Sequence, residues 1–164
     1  MISSSVRDKL YQQVNLELTA EYAYLAMAAW CKAREWSGFA QWFSAQAAEE
    51  RAHGMKVIDY LLDQGEEVQF LAIEEASTKF KSLLEIMEAS LAHEQKVTKS
   101  YSELMKLARK ENDYATEIFT QWFITEQVEE EAAAGAIIER LKRAGDHIGA
   151  LQSIDSRVMS DRDH

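Results

Sequence analysis

Proline is absent from this chain of 164 residues, and only six glycines are present. Proteins built mainly from β-strands need many tight turns, and those turns depend largely on these two residues. Among the acidic residues, glutamate outnumbers aspartate and is the better helix former. The sequence therefore disfavours an all-β fold and predicts long helices joined by few connections.

Cysteine is nearly absent as well, since Cys31 is the only one. A single thiol cannot form a disulfide within the chain, which is typical of a protein made for a reducing compartment. The first residues contain no apolar segment of the kind found in export signals, and no stretch of about eighteen apolar residues occurs. These absences predict a cytoplasmic protein without a membrane span.

Positive charge is scarce, because 18 lysines and arginines accompany 28 acidic residues and give a formal net charge of −10. A surface of this kind repels nucleic acids and anionic membranes and attracts cations. We therefore expect neither a nucleic-acid partner nor a membrane partner. A solvated acidic surface that only keeps the protein soluble is the ordinary explanation for most of these residues.

Apolar residues recur at steps of three and four, which predicts four long helices and a short fifth one in a single domain spanning residues 1–164. We place the helices at about residues 5–34, 38–64, 77–110, 113–143 and 147–157. Ser37 is expected to cap the second helix, and Gly65 and Gly145 to end the second and fourth. The dozen residues after Gly65 can travel the length of a helix, so we interpret them as a crossover. This is an all-α four-helix bundle with one long crossover plus a short C-terminal fifth helix.

Each long helix carries one glutamate in the middle of its apolar stripe. Residues seven or eleven positions apart on a helix lie within about 20° of each other and share a face. Counting in these steps from Glu50 reaches Phe39, Phe43, Val57 and Leu61. The other long helices show the same pattern of apolar and aromatic neighbours. Positions halfway along the helices meet at one height of a bundle, so four acids should converge: Glu17, Glu50, Glu94 and Glu130.

Four carboxylates in an apolar core repel one another unless a cation compensates them. Neither lysine nor arginine lies at the tested positions, so we infer that the cation is a metal ion. His53 follows Glu50 by three residues and points the same way, which adds an imidazole to the oxygen ligands. This ligand set suits iron or manganese better than zinc, and two ions sharing bridging carboxylates fit it best. A glutamate that only reaches the bundle edge is the ordinary alternative for one position, and a weak one for four.

Four segments on separate predicted helices carry further residues in a specific arrangement. They are NLELTAEYAYLAM with Glu17 and Tyr24, AEERAH with Glu49, Glu50 and His53, AHEQ with Glu94, and QWFITEQVEEE with Trp122, Glu126, Gln127, Glu129 and Glu130. Together they resemble the prokaryotic non-haem ferritins of the ferritin-like di-iron superfamily. The resemblance covers essentially the whole chain and implies a ferritin-like four-helix bundle.

The resemblance implies a role for each matching residue. The ligands of the first ferroxidase iron would be Glu17, Glu50 and His53. Those of the second would be Glu50, Glu94 and Glu130, with Glu50 bridging the two ions. A third iron would lie among Glu49, Glu126, Glu129 and Glu130. Gln127 would place an amide near the paired irons, and Tyr24 would donate an electron during oxidation.

The resemblance also implies a function. Ferritins oxidise Fe(II) with dioxygen or peroxide and store the ferric mineral in hollow cages of twenty-four subunits, whose four-fold axes are lined by the fifth helix. We therefore expect iron storage with ferroxidase activity in a homo-oligomer. A discrete, non-storing di-iron or di-manganese oxidase is the alternative, because its centre would look the same in the sequence. A metal-free bundle that serves as an interaction module is a third hypothesis, and the four acids on the apolar stripes argue against it.

Haem is not expected as a cofactor. Bacterioferritins carry a second Glu-x-x-His motif on the fourth helix and a methionine just after the second-helix glutamate, whereas this chain has Gln127, Glu130 and Arg51 there. Glu21 departs from the ferritin pattern, and we interpret it either as an extra ligand or as part of a subunit contact.

Other aromatic and histidine residues carry weaker signals. Trp122 is expected to pack beside the apolar stripe, although it could relay an electron. Three histidines are not expected to bind metal because none lies near the middle of a stripe: His93, His147 and His164. His147 could instead line a channel near the fifth helix.

Overall fold

A computed structural model of the chain describes residues 2–162. It contains five helices: α1 Ser4–Lys32, α2 Ser37–Asp63, α3 Leu83–Lys110, α4 Tyr114–Ala144 and α5 Ile148–Arg157. The chain between residues 2 and 162 contains no strand. α1 packs along α2 and α3, α3 packs along α4, and α5 contacts both α2 and α4. The predicted all-α bundle with a short fifth helix is confirmed, and in this described part no helix has the length and apolarity needed to cross a membrane.

A segment without helix, residues 64–82, joins α2 to α3. Its backbone is tied to α1, because the Tyr11 hydroxyl donates to the carbonyl oxygen of Glu67 at 2.5 Å. The Asn15 side-chain amide likewise donates to the carbonyl oxygen of Ala72 at 2.9 Å. The segment therefore runs beside α1 and forms the long crossover that the sequence predicts.

α3 begins at Leu83, and the predicted start near Ser77 is wrong. The Ser82 hydroxyl accepts a hydrogen bond from the Glu85 backbone N–H at 3.1 Å, and the Glu85 carboxylate accepts one from the Lys81 N–H at 2.6 Å. Serine followed three residues later by glutamate favours this kind of reciprocal cap. The Ser82 cap satisfies one of the backbone N–H groups that the first turn leaves unbonded, and the Glu85 contact fixes the backbone just before the helix, which favours a start at Leu83.

The start of α2 is capped from α5. Ser37 is the first residue of the helix rather than its cap, and no side chain of its own segment caps it. Instead, the Asp155 carboxylate of α5 accepts a hydrogen bond from the Phe39 backbone N–H at 2.9 Å. At Gly38, a Cβ atom would lie 1.7 Å from the Asp155 carbonyl oxygen, so only glycine permits this approach. Contact with α5 therefore sets the N-terminus of the helix that carries Glu50 and His53.

Two hydrophobic cores lie on either side of a polar layer. One includes Tyr24, Phe39, Phe43, Met87 and Ile137, and the other includes Leu10, Leu61, Tyr101 and Phe123. Each long helix passes from one core to the other, and its central glutamate lies at the change. The apolar stripes thus stabilise the bundle on both sides of the polar layer that contains the four acids.

Candidate metal centre

Three neighbouring side chains form the innermost part of the polar layer. Glu17 on α1 and Glu50 on α2 are fully buried, and His53 on α2 is 6% exposed. Each of them offers one ligand atom, and these atoms all lie within 4.8 Å of one another. The His53 Nδ1 atom is 3.8 Å from Glu17 Oε2 and 3.7 Å from Glu50 Oε2. One metal ion placed among them would reach two carboxylates and an imidazole.

The same three side chains carry buried polar atoms that no described residue hydrogen-bonds. These atoms are Glu17 Oε2, both carboxylate oxygens of Glu50 and His53 Nδ1. Burying polar atoms without partners costs several kcal/mol unless a ligand compensates them. Their donor chemistry, three oxygens and one imidazole nitrogen, fits a divalent iron or manganese ion.

Glu94 of α3 is buried next to this group and is held from two sides. The Tyr24 hydroxyl of α1 donates to Glu94 Oε1. The Gln127 amide of α4 donates to Glu94 Oε2 at 3.0 Å and to the Glu94 carbonyl oxygen at 3.1 Å. The structure therefore brings together three residues that the sequence analysis named, and it places Tyr24 and Gln127 as hydrogen-bond donors to one carboxylate.

Glu17 has a matching set of partners that the sequence analysis missed. The Tyr101 hydroxyl of α3 donates to Glu17 Oε1, and the Gln13 amide donates to the same oxygen at 3.3 Å. Ser100 in turn donates to Gln13 Oε1 at 2.7 Å. Tyr101 counts only as an apolar stripe residue in the sequence pattern. Its phenolic hydroxyl could have indicated a role at the centre, because a buried tyrosine usually has a hydrogen-bond partner.

Glu130 of α4 lies at the edge of the layer and is only partly buried. The Gln46 amide of α2, which is also absent from the sequence predictions, donates to Glu130 Oε2 at 2.9 Å. Gln46 stands four residues before Glu50 on the same helix face, and this spacing is the signal that could have indicated it.

An acid-lined cavity of about 670 Å³ opens beside Glu130. The four residues predicted for a third iron all line it: Glu49, Glu126, Glu129 and Glu130. Glu129 points to this cavity although it is exposed and lies off the apolar stripe. Arg140, Asp161 and Arg162 line the same space.

The buried carboxyls bind protons more tightly than usual when no metal is present. Burial raises the pKa of Glu50 to about 8, and the charges of Glu94 and Glu130 act in the same direction. Burial likewise raises the pKa of Glu130 to about 7. The pKa of Glu17 lies well above its ordinary value because of burial and the neighbouring Glu50 carboxyl. Burial also raises the pKa of Glu94. A metal ion binding here must therefore displace protons.

Two tyrosines of the layer stay protonated. Burial raises the pKa of Tyr24 and of Tyr101 well above the ordinary value, and the adjacent carboxylates raise both further. Each phenol therefore acts as a hydrogen-bond donor to the centre at neutral pH.

Trp122 and Glu21 lie beside the centre. The Trp122 indole is 38% exposed and packs edge-on against the His53 ring, with 5.5 Å between the ring centroids. It also packs edge-on against the Phe123 ring at 4.8 Å, and the Lys56 ammonium lies 3.3 Å from the indole centroid. The Glu21 carboxylate pairs with Arg51 at 3.7 Å. Glu21 is not part of the group formed by Glu17, Glu50 and His53.

Two of the remaining histidines have other roles. The His93 ring packs edge-on against Tyr24 with 6.0 Å between centroids, and burial lowers its pKa to about 4. His147 caps α5, because its Nδ1 atom accepts a hydrogen bond from the Ala150 backbone N–H at 3.1 Å. His164 lies outside the described residues.

Comparisons with known proteins identify the family. The family model of the ferritin-like domain matches residues 7–144. A bacterial non-haem ferritin of Staphylococcus haemolyticus is 44% identical over 92% of this chain and 91% of its own length. One from Staphylococcus saprophyticus is 46% identical over 92% of this chain and 90% of its own length.

A solved structure gives the same result. An open pore ferritin from the hyperthermophilic archaeon Archaeoglobus fulgidus superposes with a TM-score of 0.95 and 37% identity, covering 96% of this chain and 98% of that one. The sequence profile, the curated relatives and the solved fold agree over nearly the whole chain. The chain therefore belongs to the ferritin family, among the non-haem ferritins of prokaryotes.

Proposed function

We propose that this protein oxidises Fe(II) to Fe(III) at the buried carboxylate centre and stores the ferric product. One observation carries the proposal: Glu17, Glu50 and His53 converge in an apolar core with buried ligand atoms that lack hydrogen-bond partners among the described residues. A fold maintains such an arrangement at a cost, and a metal ion that enters the group removes that cost.

Two Fe(II) ions would bind as substrates at neighbouring positions. The first would take Glu17, Glu50 and His53 as ligands. The second would take Glu50, Glu94 and Glu130, with Glu50 shared between the ions. Gln127 supports the second position, because its amide holds the Glu94 carboxylate at 3.0 Å. Each Fe(II) gives one electron to the oxidant, dioxygen or peroxide, and the hard carboxylate ligands favour the Fe(III) product.

Tyr24 would supply a further electron during oxidation. Its hydroxyl donates directly to Glu94 Oε1, so the phenolic proton can pass to that carboxylate when the electron leaves. When the proton and the electron leave together, no positively charged phenol forms in the buried site. This contact supports the redox role more specifically than the position of Tyr24 on the apolar stripe.

The acid-lined cavity supports storage rather than oxidation alone. Glu49, Glu126 and Glu129 meet Glu130 at its wall, so one residue belongs both to the centre and to the cavity. A third iron ion bound there would lie on the way out of the centre. The net charge of −10 would draw Fe(II) towards such acids, and salt would weaken that attraction.

The chain would act in a hollow homo-oligomer of twenty-four subunits. The proposal rests on its relatives, which are named as ferritins, and on a fold that matches an open pore ferritin over nearly its full length. The mineral would form inside this cage. The cytoplasmic location stays a prediction from the sequence.

Iron loading tests storage directly. The purified protein is mixed aerobically with excess Fe(II), and the iron that co-elutes with it from a sizing column is counted. Iron far above two ions per chain in a cage-sized peak is the expected result. About two ions per chain, the capacity of a di-metal centre alone, would identify a discrete oxidase and overturn storage.

A further inference from the structure

The segment after α5 returns to the acid-lined cavity. Val158 is buried against the hydrophobic core, and the residues that follow it turn back towards α2 and α4. This turn brings Asp161 and Arg162 to the cavity wall. The Arg162 side chain is only 16% exposed, so its guanidinium lies within the cavity rather than in bulk solvent.

The Arg162 guanidinium contacts two residues of α2. Its Nη2 atom is 2.5 Å from Glu49 Oε2, and its Nη1 atom donates to Gln46 Oε1. The guanidinium carbon also lies 5.5 Å from the centre of the Trp42 ring. A charge-assisted contact and an amide contact thus hold the group in one position.

The Gln46 contact extends this arrangement to the centre. Because Gln46 Oε1 accepts from Arg162, its amide nitrogen must point the other way, and it donates to Glu130 Oε2 at 2.9 Å. Arg162 is therefore connected to Glu49 directly and to Glu130 through one side chain. Both carboxylates belong to the proposed third iron site.

The charges in the cavity explain why a guanidinium lies there. Four glutamates line the space together with two arginines and one aspartate. Arg140 pairs with Asp161, which leaves Arg162 to compensate the glutamates. Without a cation, their mutual repulsion would be larger.

We propose that Arg162 sets the metal affinity of the cavity, because its guanidinium occupies the position of a bound cation and a metal ion must displace it. The proposal rests on the proposed function, which places a third iron among the same glutamates. It adds that Arg162 competes with this ion and weakens its binding. A metal ion that replaces the guanidinium also removes the partner that orients Gln46 towards Glu130.

Zinc titration of the assembled protein tests the affinity. Isothermal titration calorimetry with Zn²⁺, which is not oxidised, would compare wild type with Arg162→Gln and with Arg157→Gln. Arg157 is exposed on α5 and does not line the cavity, so its variant makes the same charge change elsewhere. We expect Arg162→Gln to tighten the weakest zinc site about tenfold, the effect of losing one charge-assisted contact that competes with the metal. Arg157→Gln should leave it unchanged.

The results separate the two proposals. Equal affinity of a third zinc in wild type and Arg162→Gln would overturn the role of Arg162 and leave the third site in place. A third zinc that binds to neither protein, while two bind at the centre, would overturn both the third site and the role of Arg162.

Chemical modification tests displacement without any variant. Phenylglyoxal reacts with accessible arginines, and mass spectrometry of peptides reports each one separately. We expect Zn²⁺ in excess over two ions per chain to increase the modification of Arg162 several-fold and to leave that of Arg157 unchanged. Unchanged or reduced modification of Arg162 would show that metal does not displace it.

Discussion

Tyr24 on α1 and Tyr101 on α3 make reciprocal hydrogen bonds to the central glutamates of the two helices. Each tyrosine follows the central glutamate of its own helix by seven residues and donates its hydroxyl to the central glutamate of the other helix. Tyr24 therefore holds Glu94, and Tyr101 holds Glu17. The two halves of the centre are supported alike, although only Tyr24 resembles a family residue with a redox role.

This pairing makes Tyr101 a matched control for Tyr24. We expect electron paramagnetic resonance to detect a tyrosyl radical in the wild type shortly after Fe(II) and dioxygen are mixed, and we expect Tyr24→Phe to abolish that signal. Tyr101→Phe removes an equivalent hydrogen bond and should keep the signal. Both variants should retain zinc binding at the centre. If Tyr101→Phe lost the signal and Tyr24→Phe kept it, the electron would come from Tyr101, and the assignment to Tyr24 would be wrong.

The ligand assignment predicts a strong kinetic effect. On this assignment, replacing Glu50 and Glu130 by alanine would remove the shared ligand and one ligand of the second position. The rate of Fe(II) oxidation, followed by the absorbance of the ferric product, should fall at least about tenfold, in line with losses seen when metal sites are disturbed.

Glu139 on α4 provides the control for this variant. It is exposed and pairs with Lys142 at 3.7 Å, outside the centre. Glu139→Ala should oxidise Fe(II) as fast as the wild type. If the variant lacking Glu50 and Glu130 did so too, oxidation would have to take place at another site.

The convergence of the acids could be predicted because the spacing between residues within a helix decides which face they share, wherever the helix is predicted to begin or end. The start of α3 moves from Ser77 to Leu83, yet Glu94 keeps the same face relative to Met87 and Tyr101. The partners of the acids could not be predicted in this way. Whether Gln46 reaches Glu130 depends on the separation and rotation of two helices, and no pattern within one helix contains that information.

The cap on α2 was beyond prediction for a related reason. Asp155 is distant in sequence from Phe39, and it meets the start of α2 only after α5 folds back. The sequence indicated Ser37 because a serine before an apolar run is the common local solution. A cap supplied by another helix leaves no local pattern.

The buried carboxyls predict an unusual pH dependence for the metal-free protein. The pKa of Glu50 is about 8 in the folded chain, compared with an ordinary value of 4.5, so the folded state holds its proton more tightly than the unfolded state. Stability from this group is complete at low pH and is lost as the pH rises through the folded pKa. The melting temperature of the metal-free protein should therefore fall by several degrees between about pH 5 and about pH 8, since each kcal/mol corresponds to about 2–4 °C.

Glu50→Gln separates this effect from other titrations. Glutamine stays neutral, so the metal-free variant should lose less stability than the wild type over the same pH range. It should be the more stable protein at about pH 9. The melting temperatures are measured by calorimetry after removal of metal with a chelator. If they changed with pH by the same amount in both proteins, this would contradict the raised pKa of Glu50.

The contact between α5 and α2 predicts a stability effect away from the centre. Asp155→Ala removes the acceptor of the Phe39 N–H, and loss of a helix cap costs about 0.5–2 kcal/mol. The melting temperature should fall by a few degrees, as expected for a chain of this size. Asp146→Ala, at an exposed position before α5, is the control and should melt like the wild type. Because the cap sets the N-terminus of the helix carrying Glu50 and His53, we also expect weaker zinc binding in Asp155→Ala. A variant that melts like the wild type and binds zinc as tightly would show that α2 holds its position without α5.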